Sequence, residues 1–292
     1  PQLFINYRGN IFRLMKGEME NIIKRKIFSY ERNERMNNIY FTQFTQKNTI
    51  WKDKPNEDYI LIDEIKKIYI ILDGVTRDMI KGRYPNPSPS EKVTHLISNS
   101  IYEYIKNNMR YSQSHEDIEN LLMKSIEFGN NNIREFTTDK QFDFMPGAVG
   151  IASMIVDETF YYAYIGDCIG LKISENNSII FTEKQTDLIQ KFKPYFTQRA
   201  IREEICNNPN HPYAYGVING DEKAIAFVKT GYFKLDKNVQ IILATDGMES
   251  YLMHNIKPPY KIYNAKELVI ESNKFSNTEH EDDKSIIVIN FQ

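Results

Sequence analysis

Three aspartates each mark one end of a strongly apolar run, and carboxylates held that way suit a hard metal cation. The runs are Ile68–Leu72 before Asp73-Gly74, Val239–Thr245 before Asp246-Gly247, and Ile286–Ile289 just after Asp282-Asp283-Lys284-Ser285. Short runs rich in Ile and Val predict buried strands. A carboxylate at the mouth of such a strand is fixed in place while its head still meets solvent. Acids converging this way repel one another unless a divalent cation neutralises them, and oxygen ligands select Mg or Mn. Gly74 has no Cβ, so its carbonyl is able to turn toward the same ion. Glu57 and Asp58 add two acids at the near end of a neighbouring strand. A single Asp-Gly is more often a plain turn; acidic clusters at four strand ends carry the argument. The chemistry such a centre supports is attack of activated water on a phosphate ester.

The elements that must position these acids are legible as alternations of period. Residues 39–45 alternate as a half-buried strand, and 59–72 read as a hairpin ending at Asp73. Pro85, Pro87 and Pro89 break the chain, and Ser88 and Ser90 with Glu91 beyond signal the start of a helix. Val93, Leu96, Ile97, Ile101 and Ile105 follow at helical spacing, and Ile118, Leu121, Leu122, Ile126 and Ile133 predict a second long helix packed beside it. Further strands are expected over 147–156, 160–165, 224–229, 239–245 and 286–291, with helices through Leu188–Phe192 and over 265–274. Asn207–Pro212 is rich in turn residues. Residues 11–28 read as a mixed helix with a basic face.

Bulk properties bound the answer. The 292 residues are enough for a sizeable core, and 41% hydrophobic with 26% charged residues is ordinary for a globular chain. A formal net charge of −2 excludes a chain built as a whole to coat nucleic acid. The imbalance is local: residues 1–36 hold eight Lys/Arg against four Glu. That segment is expected to be a basic N-terminal extension with a solvated face and an unknown partner, followed by one domain over 37–292. Cys168 and Cys206 form no disulfide framework, which predicts a reducing, cytoplasmic setting. No run approaches the ~18–20 apolar residues of a membrane span.

Other catalytic templates do not fit. A cysteine phosphatase needs an Arg six residues beyond its Cys to clamp phosphate, whereas Ser174 follows Cys168 and Pro212 follows Cys206 at that distance. His95, His115, His211, His254 and His280 have no zinc-ligand spacing. Neither a Walker loop nor a dinucleotide glycine pattern occurs.

Taken in order, Glu57-Asp58, Asp73-Gly74, Gly147-Ala148-Val149, Gly166-Asp167, Ala244-Thr245-Asp246-Gly247 and Asp282-Asp283-Lys284-Ser285 resemble the motifs of the PP2C (PPM) family of metal-dependent serine/threonine protein phosphatases. The likeness spans roughly residues 39–291. It implies an α+β, four-layer αββα sandwich of two antiparallel sheets flanked by helices. It also implies two Mn or Mg ions bridged by the attacking water, and a phosphorylated protein as substrate. Carried over by motif, Asp73, Asp246 and Asp282 are metal ligands and the catalytic set, Glu57 and Asp58 ligate metal or orient its water, and Gly74 gives its carbonyl. Asp143 is the place for a weaker third ion, and Lys52, Lys54 and Arg77 are the phosphate-binding candidates. Asp283 is expected behind Asp282 or in solvent, and residues 184–222 fall where relatives carry a variable flap that sets selectivity. The chain departs from the pattern at Val75-Thr76-Arg77, where the family has His or Met and then a glycine pair; Val75 has no proton to donate. That departure motivates the alternative of a pseudophosphatase acting as a regulatory binding module. The Ile-, Asn- and Lys-rich composition points to a bacterial source.

Overall fold

The computed structural model describes residues 39–50, 53–75, 84–110, 113–137, 146–257, 262–275 and 282–291. The basic extension, Lys52, Arg77, Asp143 and His280 lie outside the described residues.

In chain order the strands are β1 (Ile39–Gln46), β2 (Tyr59–Asp63), β3 (Ile68–Gly74), β4 (Ala148–Val156), β5 (Thr159–Ile165), β6 (Ile169–Ile173), β7 (Ser178–Ile180), β8 (Lys229–Lys234), β9 (Val239–Ala244) and β10 (Lys284–Phe291). The helices are α1 (Pro89–Asn108), α2 (His115–Asn132), α3 (Arg134–Thr137), α4 (Asp187–Phe192), α5 (Gln198–Ala200), α6 (Glu249–Asn255) and α7 (Ala265–Phe275). One sheet has the order β1-β10-β9-β6-β7 and the other β2-β3-β4-β5-β8. Both are antiparallel and flanked by helices.

Four layers follow from strands that are apolar on both faces. In β3, Ile68, Ile70 and Leu72 pack with Val93, Ile97 and Ile101 of α1 and Leu122 and Ile126 of α2. Ile242, Ile286 and Val288 of the other sheet pack with Leu252 of α6 and Leu268 and Val269 of α7. The alternate residues Tyr69, Ile71, Ile241, Leu243, Ile287 and Ile289 are buried as well. A strand covered on both sides reads as a continuous apolar run rather than an alternation. The Phe41 ring meets Tyr69 edge-on at 6.0 Å, joining β1 to β3.

The first long helix begins as its sequence predicts, and the second begins with the same kind of cap. Ser88 caps α1 and forms a capping box with Glu91, with Pro89 in the first turn, where its missing N–H is not needed. Ser114 and Asp117 do the same for α2, which ends at Asn132 with Ile133 as its cap.

One expectation is corrected. Residues 224–229 were read as a strand, but Glu222–Phe227 form a 3-10 turn and the strand is Lys229–Lys234. Asp221 accepts a hydrogen bond from the Lys223 amide at 2.9 Å. Such a side-chain cap favours a turn over extended backbone.

Ile97 is fully buried between α1 and the sheet. Ile97→Ala is expected to cost about 2–5 kcal/mol of stability, measured by urea unfolding.

Candidate metal centre

Strand register, more than sequence proximity, brings the acids together. Ala244 pairs with both Ile169 and Ile286. The chain leaving β9 toward Asp246 therefore runs beside the chain entering β6 from Asp167 and the chain entering β10 from Asp282. Asp73 pairs with Val149 at the end of β3, and Gly150 pairs with Ile165 at the end of β5. Gly166-Asp167 then crosses from one sheet to the other, and Gly166 makes the turn at φ +90°, a conformation open chiefly to glycine. Gly74 answers a different constraint: a Cβ there would stand 2.8 Å from the Cβ of Glu57 and 2.9 Å from its carbonyl oxygen.

The result is a pocket of about 210 Å³ lined by Asp73, Gly74, Asp167, Asp246 and Asp282 on its acidic side. Burial, followed by the carboxylates of Asp246, Asp58, Asp282 and Asp167, pushes the Asp73 carboxyl well above its ordinary range. Asp167 is also raised by burial, against the Thr186 hydroxyl, which donates to it at 2.9 Å. Asp167 appeared in the sequence only as part of a motif. Its position two residues before a strand that pairs with β9 was the available signal.

Glu57 and Asp58 lie behind this wall. The Thr245 hydroxyl donates to Asp58 at 2.8 Å and accepts from the Ser285 amide at 3.0 Å, so it ties the β9 exit to the β10 entrance. Burial raises Asp58 well above its usual value, and Asp283 adds to the rise. Burial raises Glu57 to about 7, opposed by Lys54 and by a hydrogen bond from Ser88, the residue that also caps α1.

Lys54, a phosphate-binding candidate by its sequence position, lies among carboxylates. Its side chain is 3% exposed, and its ammonium lies 3.0 Å from Asp282, 3.0 Å from Asp283 and 3.3 Å from Glu57. Burial alone would lower this lysine; the carboxylates of Asp282, Asp283 and Glu57 outweigh it and hold the charge firmly. Asp283 is 2% exposed, which excludes the solvent position. It accepts from the backbone amides of Asn48 at 2.6 Å and Glu57 at 2.9 Å and so clamps the loop that carries Lys54.

Residues 184–222 supply the opposite wall through Thr186, Ile189, Gln190, Lys193 and Tyr215. They carry a small core of their own, Ile189, Ile201 and Ile205 with Phe196, Tyr213 and Tyr215 packed on it. Lys193 is the one lysine or arginine lining the pocket among the described residues. Cys168 is buried beneath the acids; burial, then Asp73 and Asp167, keeps its thiol protonated and unsuited to attack.

The donor set fits a hard divalent cation in kind, because the pocket gathers carboxylate oxygens whose mutual repulsion an ion would relieve. The side chains have not closed around a shared point: among the described residues, no three Asp, Glu, His or Cys are placed to hold one metal ion. Asp282 and Glu57 are directed to Lys54 instead.

No family model matches the chain, and no curated protein does. Solved structures do. The Mycobacterium tuberculosis serine/threonine phosphatase PstP/Ppp superposes with a TM-score of 0.61 at 12% identity, over 87% of this chain and 99% of that one. The PstP catalytic domain in complex with 2 manganese ions gives 0.59 at 11%, over 86% and 97%. The S. agalactiae serine/threonine phosphatase gives 0.60 at 14%, over 87% and 100%. The chain therefore has the αββα fold of the PP2C (PPM) phosphatases. No described helix is long and apolar enough to cross a membrane.

Thr245→Val would leave the buried Asp58 carboxyl and Ser285 amide without their shared partner. It is expected to cost about 1–3 kcal/mol in chemical unfolding, while Thr245→Ser stays near wild type.

Proposed function

We propose that this chain is a metal-dependent phosphatase that removes phosphate from phosphoserine and phosphothreonine in proteins, with Mn or Mg held by Asp73, Asp246 and Asp282. The observation that carries the reading is the meeting of these three acids, from three strand ends, in one pocket of a phosphatase fold. A bound divalent cation would supply Lewis acidity toward phosphate and lower the pKa of a coordinated water. The protein's own groups do the rest. Asp73, Asp246 and Asp282 would hold that ion, with Gly74 beside them in the pocket wall. Lys193 approaches from the opposite wall, where an ammonium pairs with phosphate as a point charge; Lys52 and Arg77 stand as further phosphate candidates. Ile189, Ile201, Val149 and Val217 line the remaining surface with apolar groups. They limit water around the reacting ester and strengthen every charge interaction within it. Asp167, held by Thr186, adds a carboxylate at the same rim. Val75 offers no acid for the leaving alkoxide, so protonation of that oxygen falls to solvent. Residues 184–222 are the proposed source of selectivity among phosphoproteins.

A second reading is favoured by one observation, the absence among the described residues of three acids gathered on a common point. On that reading the chain is a regulatory binding module that keeps the sandwich and its pocket without turnover.

Purified protein is expected to hydrolyse p-nitrophenyl phosphate and a phosphothreonine peptide only with Mn or Mg, and to lose all activity in excess chelator. Asp246→Asn should lower kcat by a factor of about 10² or more, the scale for removing an electrostatic stabiliser of the transition state, with an unchanged urea midpoint. Full activity in that variant or in chelator refutes the enzyme. Calorimetry showing no Mn binding supports the binding module.

A further inference from the structure

We infer that the Lys54 ammonium occupies one of the two cation positions of this site, so that the chain takes a single divalent ion where the phosphatase resemblance implies two. The inference rests on the reading of the pocket as a metal centre and concerns only how many ions it holds.

The geometry points there from several sides. The Lys54 ammonium meets carboxylates from two chain segments more than 220 residues apart, Glu57 on one side and Asp282 and Asp283 on the other. These are the contacts a cation would make, and a buried side chain supplies them. The carboxylate oxygens are committed in turn. Glu57 accepts from the Ser88 hydroxyl with Oε1 and faces Lys54 with Oε2. Asp282 Oδ1 takes both the Lys54 ammonium and the Asp283 amide, at 3.0 and 2.9 Å. Asp283 Oδ1 takes the Asn48 amide, and its Oδ2 takes Lys54 and the Glu57 amide.

An ion bonded to Glu57 and Asp282 would need oxygens at roughly 2.0–2.2 Å. It would then lie within a few ångströms of a buried ammonium of the same sign, where repulsion is least screened. Lys54 would have to leave, and its 3% exposure with three partners makes that exit costly. Asp73, Asp246 and Asp282 line the pocket and would hold the one remaining ion, with Asp167 at the same rim.

The test counts Mn on purified full chains by equilibrium dialysis, and reads the Mn EPR spectrum for spin coupling between ions sharing a carboxylate. Wild type is expected to bind one Mn with the spectrum of an isolated ion. Lys54→Met, and the charge-balanced Lys54→Met/Asp283→Asn should the single variant fold poorly, are expected to bind two with a coupled spectrum. A coupled pair in wild type overturns the inference and leaves the phosphatase reading intact. One uncoupled ion in wild type and in both variants also overturns it, because Lys54 then excludes nothing. No bound Mn in any chain sinks the metal centre itself and the inference with it.

Discussion

Like charge gathered at low solvent exposure is the constraint from which the rest of this structure follows. Antiparallel pairing of β6, β9 and β10 delivers Asp167, Asp246 and Asp282 to one end of one sheet, and β3 brings Asp73 to the same end of the other. Nothing in strand pairing compensates for that accumulation. The molecule answers with specific donors: Thr245 on Asp58, Thr186 on Asp167, Ser88 on Glu57, and the ammonium of Lys54 among three carboxylates. Several of these donors have a second structural task. Ser88 starts α1, and Thr245 joins β9 to β10, so the acid cluster and the sandwich stabilise one another. Removing Ser88 or Thr245 is thus felt in the fold.

The pocket is correspondingly asymmetric. One wall is made by strand ends, rigid because both faces of each sheet are packed, and carries the acids. The other is made by residues 184–222, which hold together through their own small aromatic and aliphatic core, including a stacked pair of Phe192 and Tyr213 at 4.5 Å. Chemistry that depends on fixed charge belongs to the first wall. The second wall presents Lys193 with the apolar side chains of Ile189 and Ile201. Such a division lets one segment vary without moving the acids.

Much of the fold was legible because its signals are local. The Ile-rich runs predicted β3, β9 and β10, the proline cluster followed by Ser88 and Glu91 predicted the start of α1, and the 59–72 hairpin stands with Tyr59 opposite Leu72. The misreading at 224–229 had a local cause too: apolar residues there resemble a strand, while the deciding contact is a single Asp221 side-chain bond. The sequence marked Lys54 as a phosphate-binding candidate and Asp283 as lying behind Asp282 or in solvent, but not the ion pair that buries both. Their charges gave no hint of burial, since lysine and aspartate are almost always solvated unless paired.

The order of acidic motifs, their strand contexts and the apolar periods were properties of the chain alone, because side-chain type and spacing along an element set which face is apolar. Which carboxylates share a pocket, which of them a lysine claims, and that Asp167 joins them were decided only in three dimensions. The physical reason is distance along the chain: the Lys54 to Asp282 contact closes a separation of 228 residues. Its strength comes from exclusion of water, which no local pattern encodes.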